Sequence, residues 1–239
     1  MERREGRIAA GAGFCLLWAL ILFVTAATVY NLAGDGALMA EQMRRYAPPE
    51  NSGLPDEQYP EMGRMITDYL TGRNPVFQYS YSGIQEETIV CFQPHEAEHM
   101  ADCRGLIHLA GVLRWITGGA ALILTGTGIV LRKHRRRFAS GMLAGFYLAA
   151  AVFTGILIWG VIDFDGLFTA FHRGAFTNDG WLLNPGTDML IRLMPISFFV
   201  SMGIRVLQAI LAITLLSCAA AIIIGKTDIQ AERDGRASD

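Results

Sequence analysis

GMLAGFYLAAAVFTGILIWGVI, residues 141–162, is an apolar run without a single charged side chain. An α-helix needs about 20 consecutive apolar residues to cross the hydrocarbon core of a bilayer, so this run predicts a transmembrane helix. Three further stretches of similar length and character occupy residues 9–33, 107–131 and 196–225. The sequence therefore predicts an all-α transmembrane four-helix bundle within a single membrane domain.

The composition agrees with a membrane protein. Of the 239 residues, 52% are hydrophobic and 18% are charged, whereas a soluble domain carries about 25% charged residues. A net charge of −2 gives no basic footprint for nucleic acid, so we expect membrane lipids and no nucleic acid as partners. The run at residues 9–33 exceeds the roughly 7–15-residue core of a signal peptide, so we expect a retained span, with a cleaved signal as the alternative.

Basic residues predict the orientation of the spans. They cluster before the first apolar run, between the second and third, and after the fourth: Arg3, Arg4 and Arg7; RKHRRR at 132–137; and Lys226, Arg233 and Arg236. The positive-inside rule places these clusters on the cytoplasmic side. We therefore expect a multi-pass protein of the cell membrane with both termini in the cytoplasm. Residues 34–106 and 163–195 then share the outer face.

The first outer segment, residues 34–106, is long enough to form secondary structure of its own. Residues 36–46 and 56–70 have helical character and are separated by the breaker-rich sequence APPENSGLP. VFQYSYS at 76–82 alternates aromatic and other residues, and ETIVCF at 87–92 is β-branched, so the two predict a hairpin. We expect this segment to form a small extracytoplasmic α+β cap.

The second outer segment, residues 163–195, predicts a helix, a loop and a second short helix. Its first part carries apolar residues spaced as on one helical face: Phe164, Leu167, Phe168, Phe171 and Ala175. Residues 178–186 are rich in Asn, Asp, Gly and Pro, which favour turns. Thr187 and Asp188 can start the second helix, which Pro195 ends or kinks.

Histidines are the first candidates for chemistry on the outer face. Neutral imidazole is well suited to accept a proton near pH 7, and His99 and His172 both lie at a predicted outer membrane boundary. A helix bundle can bring the two together. An aspartate nearby can orient a ring by accepting its second N–H; the candidates are Asp102, Asp163, Asp165, Asp179 and Asp188. Histidines that merely sit among lipid headgroups are the competing interpretation.

HEAEH at residues 95–99 is a literal H-E-x-x-H motif. In a zinc peptidase, His95 and His99 would bind the metal and Glu96 would act as the base. The extended form of the motif fails, because Asp102 and Gly105 occupy the positions where Gly and His are required. A zinc metallopeptidase is one alternative function, and a non-catalytic membrane subunit whose outer loops bind a partner is another.

Two arginines and two cysteines complete the candidates. Arg114 and Arg205 are ionisable residues within apolar runs, so they either reach outward to lipid phosphates or line a polar cavity. Cys91 and Cys103 lie where oxidation is possible, so they form either a disulfide or two buried thiols. The chain has no CxxC pair, and we expect no cysteine-built metal site.

Two motifs carry a resemblance to a known family. The order FDxLFxxFHRxxFxNDxWLLNPxTDxLIRxxPxxFF, from Phe164 to Phe199, resembles the lipoprotein intramolecular transacylases, which are four-span membrane proteins of Gram-positive bacteria. HMADCRGL at 99–106 is similar to that family's second signature, HMxDV(K/R)xL, with Cys103 in place of the usual Val. Span number and the large first outer loop agree, so the resemblance covers nearly the whole chain.

The resemblance implies a reaction without a cofactor. The substrate is a lipoprotein whose N-terminal Cys carries a diacylglyceryl thioether, and its sn-2 acyl chain moves to the α-amino group of the same Cys, which gives the lyso form. The family's two essential histidines correspond to His99 and His172. We assign His172 as base and His99 as electrophile, although the roles can be exchanged, with Asn178 or Trp181 as a further hydrogen-bond donor. His95 and Glu96 lie outside the matched motif.

Overall fold

The computed structural model describes residues 1–83 and 87–237, which form helices and one small sheet. The helices of these residues are α1 (Glu2–Gly34), α2 (Gly36–Tyr46), α3 (Pro49–Ser52), α4 (Tyr59–Leu70), α5 (Pro94–Val130), α6 (Arg135–Ile162), α7 (Phe164–Ala175), α8 (Met189–Leu193) and α9 (Ile196–Ala237). Short 3₁₀ turns precede α4 and α6. The strands are β1 (Ser80–Ser82) and β2 (Thr88–Val90).

Four of these helices are long and apolar enough to cross a membrane: α1, α5, α6 and the part of α9 that ends at Lys226. Apart from Leu131, which follows α5, they contain the four apolar runs found in the sequence, so four candidate membrane helices occur where the sequence predicts them. The helices extend beyond those runs. In particular, α5 already begins at Pro94, so residues 94–106 form three polar turns that continue directly into the apolar stretch.

The chain divides into two compact units. Unit 1 comprises residues 1–26, 112–162 and 207–239, and unit 2 comprises residues 27–111 and 163–206. The two segments that the sequence assigned to the outer face, 34–106 and 163–195, therefore belong to one unit.

Unit 1 is built on close contact between α1 and α6. Its buried core consists mainly of small and medium side chains from these helices: Ala9, Ala12, Leu16, Ala19, Phe138, Ala139 and Met142. A Cβ atom added at Gly13 would overlap the carbonyl oxygen of Phe138, and one added at Gly141 would overlap that of Ala10. The two backbones therefore touch directly, as small residues at helix interfaces in membranes permit.

Unit 2 has a core of large side chains. α2 packs against α4, and the fully buried residues include Met43, Tyr59, Met62, Ile66 and Leu193, the last of which belongs to α8. The strands pair antiparallel, with Tyr81 opposite Ile89. Helix α2 coincides with the helical stretch predicted at 36–46, and α4 covers residues 59–70 of the predicted 56–70, with a 3₁₀ turn at 56–58. The paired strands are shorter than the predicted 76–82 and 87–92. Segment 163–195 contains α7, a loop and the short α8.

The contact between α1 and α6 predicts a difference between two glycines of the same helix. Gly141→Ala should destabilise the protein by about 1–3 kcal/mol, because the added methyl group must push two backbones apart. Gly155→Ala is the matched control, since a Cβ there meets nothing within 4 Å. Thermal unfolding in detergent measures both. Equal midpoints for the two variants would contradict the close contact.

Candidate active site

His99 lies on the second turn of α5, before its apolar stretch. The side chain is buried, with 7% of its surface exposed. Its Nε2 lies 3.5 Å from Sγ of Cys103, one turn further along the helix. Its Nδ1 is buried and has no hydrogen-bond partner among the residues that the structure describes. Because buried polar atoms almost always have a partner, this nitrogen is a natural contact for a substrate atom.

His172 lies near the end of α7, which begins where Asp163 accepts the N–H of Gly166 at 2.8 Å. Its exposure is also 7%. Nδ1 of His172 lies 2.8 Å from the carbonyl oxygen of Phe168, four residues earlier in the helix. A carbonyl oxygen can only accept, so Nδ1 carries the proton and Nε2 of the neutral ring carries the free lone pair.

The structure brings the two histidines together. Their ring centroids are 6.2 Å apart, and the ring of Phe176 lies 5.2 Å from His99 and 5.5 Å from His172. The ring centroid of Phe168 lies 4.1 Å from that of His172. The pair is thus enclosed by aromatic side chains at a separation at which one ester group can meet both rings.

Burial sets the charge state of this pair. It lowers the pKa of His172, while the hydrogen bond to Phe168 acts in the opposite direction without outweighing it. Burial also lowers the pKa of His99, reinforced by the nearby His172 and opposed by the carboxylate of Asp102. Both pKa values therefore lie below the ordinary value near 6.5, so both rings are neutral at pH 7.

Four of the predicted supporting residues lie in the loop after α7 or bond to it: Asp102, Asn178, Asp179 and Trp181. Asn178 donates from Nδ2 to Asp102 at 2.9 Å, which ties the loop after α7 to α5, and accepts the N–H of Gly180. The ring of Trp181 lies 5.0 Å from that of His172 at an angle of 36°. Asp179 contributes to the same turn through its backbone carbonyl, which accepts the N–H of Leu182.

Asp188 lies elsewhere, against the start of α5. Its carboxylate accepts hydrogen bonds from His95, from the N–H of Asn184 and from the hydroxyl of Thr187. Burial alone would raise its pKa, but these bonds outweigh it and lower the pKa of Asp188 to about 2. Asp188 therefore orients His95, and the ring of His172 is oriented by a backbone carbonyl instead of a carboxylate.

The H-E-x-x-H motif has a structural role in this fold. Glu96 is fully buried, and its two oxygens accept the backbone N–H groups of Gln93 and Leu190. It is therefore occupied and does not face a position where it can activate water. Among the described residues, no three His, Cys, Asp or Glu side chains are grouped so that they can hold a metal ion.

The two cysteines of the predicted outer segment do not form a disulfide with each other. Cys91 and Cys103 are both free thiols. Burial and a neighbouring carboxylate raise the pKa of Cys91 to about 11 and that of Cys103 to about 12.

The guanidinium of Arg114 lies over the ring of Trp115, with 5.3 Å between its carbon and the ring centroid. Arg205 is exposed. Contact of either arginine with substrate lipid stays a prediction.

Sequence reasoning missed the aromatic walls of the pair. Phe168 and Phe176 lie four residues before and four residues after His172. On α7 this spacing places Phe168 next to His172, which was the available signal for that residue. Phe176 follows the end of α7 in extended backbone, so no helical spacing indicates its contact. Cys103 lies four residues after His99 on α5, at the same helical spacing.

Four helices apolar enough to span a membrane and a buried, aromatic-lined histidine pair are typical of an integral membrane protein with a candidate site between connected helices of one unit. The chain belongs to the lipoprotein intramolecular transacylase family, since the family model described as lipoprotein intramolecular transacylase Lit matches residues 11–199. Members of this family are acyltransferases of the cell membrane that act on lipoproteins. No curated protein sequence matches the chain.

Solved structures of a Bacillus cereus protein share the fold. The in meso structure of its membrane-integral lipoprotein intramolecular transacylase has a TM-score of 0.70 and 19% identity, and the match covers 96% of this chain and 100% of that one. Two structures of the same protein with a histidine substituted, by Arg in one and Ala in the other, each have a TM-score of 0.66. Their identities to this chain are 19% and 18%, over 96% of it and 96% and 97% of theirs.

The electrostatics of the pair predict that one substitution shifts the pKa of His99. Asp102→Asn should lower the pKa of His99 further, because the carboxylate of Asp102 is the group that raises it. The amide oxygen can still accept the hydrogen bond from Asn178. Glu98→Gln is the control, since Glu98 is exposed and is not among the groups that shift His99. NMR titration of isotope-labelled histidines measures the effect, and an unchanged or raised pKa in Asp102→Asn would contradict it.

Proposed function

We propose that His99 and His172 catalyse the acyl transfer for which the family is named. The observation that carries the proposal is the pair of buried imidazoles, 6.2 Å apart between ring centroids, neither of which is hydrogen-bonded to a carboxylate among the described side chains. The substrate is a diacylglyceryl-modified lipoprotein. Its sn-2 acyl chain moves to the α-amino group of its own N-terminal Cys, and the product is the lyso form.

His172 acts as the base. The α-amino group has a pKa of about 7.7–8.0, so it is mostly protonated at neutral pH and must first release one proton to solvent. The neutral amine then attacks, and His172 takes the second proton, which the nitrogen loses as it bonds to the carbonyl carbon. The lone pair of His172 lies on Nε2, because Nδ1 donates to Phe168. The lowered pKa of His172 keeps that lone pair free at pH 7. A well-placed base of this kind accelerates a reaction by about 10²–10⁴.

His99 acts on the ester. As the amine nitrogen attacks the sn-2 carbonyl carbon, His99 donates a hydrogen bond to the carbonyl oxygen, where negative charge develops. Its unpartnered Nδ1 is the atom suited to this contact. The carbon–oxygen bond to glycerol then breaks, and the glycerol oxygen receives the proton that His172 took from the amine. One amide and one hydroxyl form, and no water or cofactor is consumed.

Much of the acceleration comes from the substrate itself. Amine and ester belong to one molecule, so a site that holds them in register removes most of the entropy cost of bringing them together. Asn178 and Asp102 hold the loop after α7 against α5, and Trp181 packs on His172. We assign these three residues, with Asp179 in the same turn, to keeping the pocket in shape, and Asp188 to orienting His95.

The histidine assignment predicts the loss of transfer in two variants. His99→Ala and His172→Ala should each lower the rate by at least about 10²-fold. His108→Ala is the matched control, because His108 is an exposed histidine of the same helix as His99. Mass spectrometry of lipoprotein N-termini distinguishes S-diacyl from N-acyl, S-monoacyl peptides. Full conversion by His172→Ala would reject the assignment.

We also infer that both termini lie in the cytoplasm, that the four spans form a bundle, that residues 34–106 form a small extracytoplasmic cap, and that residues 163–195 form an extracytoplasmic helix-loop-helix. The basic clusters near residues 3–7, 132–137 and 226 support this orientation. The substrate's lipidated N-terminus lies on the outer leaflet, so a site on that side meets it directly.

Reporter fusions test the orientation. Alkaline phosphatase is active only outside the cytoplasm, so a fusion after Arg73 should be active and a fusion after Lys133 inactive. Each fusion is the control for the other, because they differ by one predicted membrane crossing. The opposite pattern would place the two histidines on the cytoplasmic side.

A further inference from the structure

Glu96 is a buried acid that the transfer reaction does not use. It has 0% exposure and lies beside an apolar core that includes Met100 and Leu190. Its oxygens accept the N–H of Gln93 at 2.8 Å and the N–H of Leu190 at 2.7 Å. Burying a carboxylate is costly unless its hydrogen-bonding capacity is used. The two bonds explain how the carboxylate is tolerated, and the elements that they join indicate what it does.

The two bonds connect the starts of two helices. Gln93 immediately precedes α5, so the bond from its N–H to Glu96 is half of a capping box. Leu190 lies in the first turn of α8, where backbone N–H groups lack partners within the helix. Two neighbouring bonds join the same segments: Nε2 of Gln93 donates to the carbonyl oxygen of Thr187, and His95 bonds to Asp188 at 3.0 Å. Residues 93–96 and 187–190 are therefore fastened together, with Glu96 at the buried end.

His99 lies between two such fastenings. Glu96 precedes it by three residues and Asp102 follows it by three, so all three side chains lie toward one side of α5. Asp102 accepts a hydrogen bond from Asn178, and Glu96 accepts one from Leu190. The intervening loop carries Trp181, which packs against His172. The loop that carries Trp181, a neighbour of His172, is thus bonded to α5 both before and after His99.

We propose that Glu96 is a positioning residue of the transfer site. Through Leu190 and Gln93 it fixes α8 and the preceding loop against the start of α5, and so sets the separation and relative tilt of the His99 and His172 rings. It does not touch the reacting atoms. This role rests on the proposed function of the histidine pair, and it gives the H-E-x-x-H sequence a purpose that involves no metal.

The first test compares two Glu→Gln variants of the full-length protein. In Glu96→Gln, an amide NH₂ must face one of two backbone N–H donors, so one fastening is lost. A displacement of about 1 Å can cost about 10²-fold in rate. We therefore expect the transfer rate at saturating lipoprotein to fall roughly 10–100-fold, with KM changed less than about twofold, since the lipid contacts remain. Glu98→Gln makes the same substitution on an exposed side chain of the same helix, and it should keep the wild-type rate.

The second test reports on the rings without using activity. NMR signals of labelled His99 and His172 should both shift in folded Glu96→Gln and stay in place in Glu98→Gln. Wild-type signals and an unchanged rate in Glu96→Gln would overturn the positioning role, as would a loss fully explained by a smaller folded fraction. If Glu96→Gln does not fold, Glu96→Asp takes its place, and a wild-type rate there overturns the role. Full activity of His172→Ala would instead reject the proposed function and leave the NMR result to stand separately.

Discussion

The hydrocarbon core of a bilayer offers no hydrogen-bond partner to a peptide N–H or C=O, and this constraint governs the whole chain. Every segment that crosses must satisfy its backbone internally, which makes the crossings helical and their side chains apolar. α1, α5, α6 and α9 obey it. Polar chemistry is thereby displaced into the connections between helices, and the two long connections fold together into one compact unit that contains both His99 and His172.

The apolar runs and the short helices could be predicted because they depend on local periodicity and composition. The hairpin followed from alternating and β-branched residues for the same reason. What could not be predicted depends on contacts distant in the sequence. Glu96 and Leu190 are far apart in the chain, and nothing local indicates that the acid of an apparent zinc motif bonds to the first turn of α8. The resemblance singled out His99 and His172, but their separation required the fold.

The proposed site carries little charge. Within residues 1–83 and 87–237, no carboxylate bonds to His172, whose ring is oriented by the carbonyl of Phe168 and contacts several aromatic rings. A carboxylate bonded to the imidazole would raise its pKa and favour the protonated ring, which cannot accept a proton. Burial beside a backbone acceptor gives the opposite result, a fixed tautomer with a free lone pair. This arrangement suits a reaction that moves a proton from amine to alcohol and leaves no net charge behind.

The uninterrupted course of α5 also limits where an ester can react. His99 precedes the apolar run at residue 107 by eight positions, which is about 12 Å along the helix axis at 1.5 Å per residue. Under the proposed assignment, a glycerol ester at the edge of the hydrocarbon layer must move outward to the ring of His99 before transfer. The first methylene groups of its acyl chain then lose their contacts with neighbouring lipids. Contacts with Phe168, Phe176 and Trp181 replace them. The substrate would thus be partly withdrawn from the bilayer. Shorter or more disordered acyl chains would be withdrawn at a smaller free-energy cost.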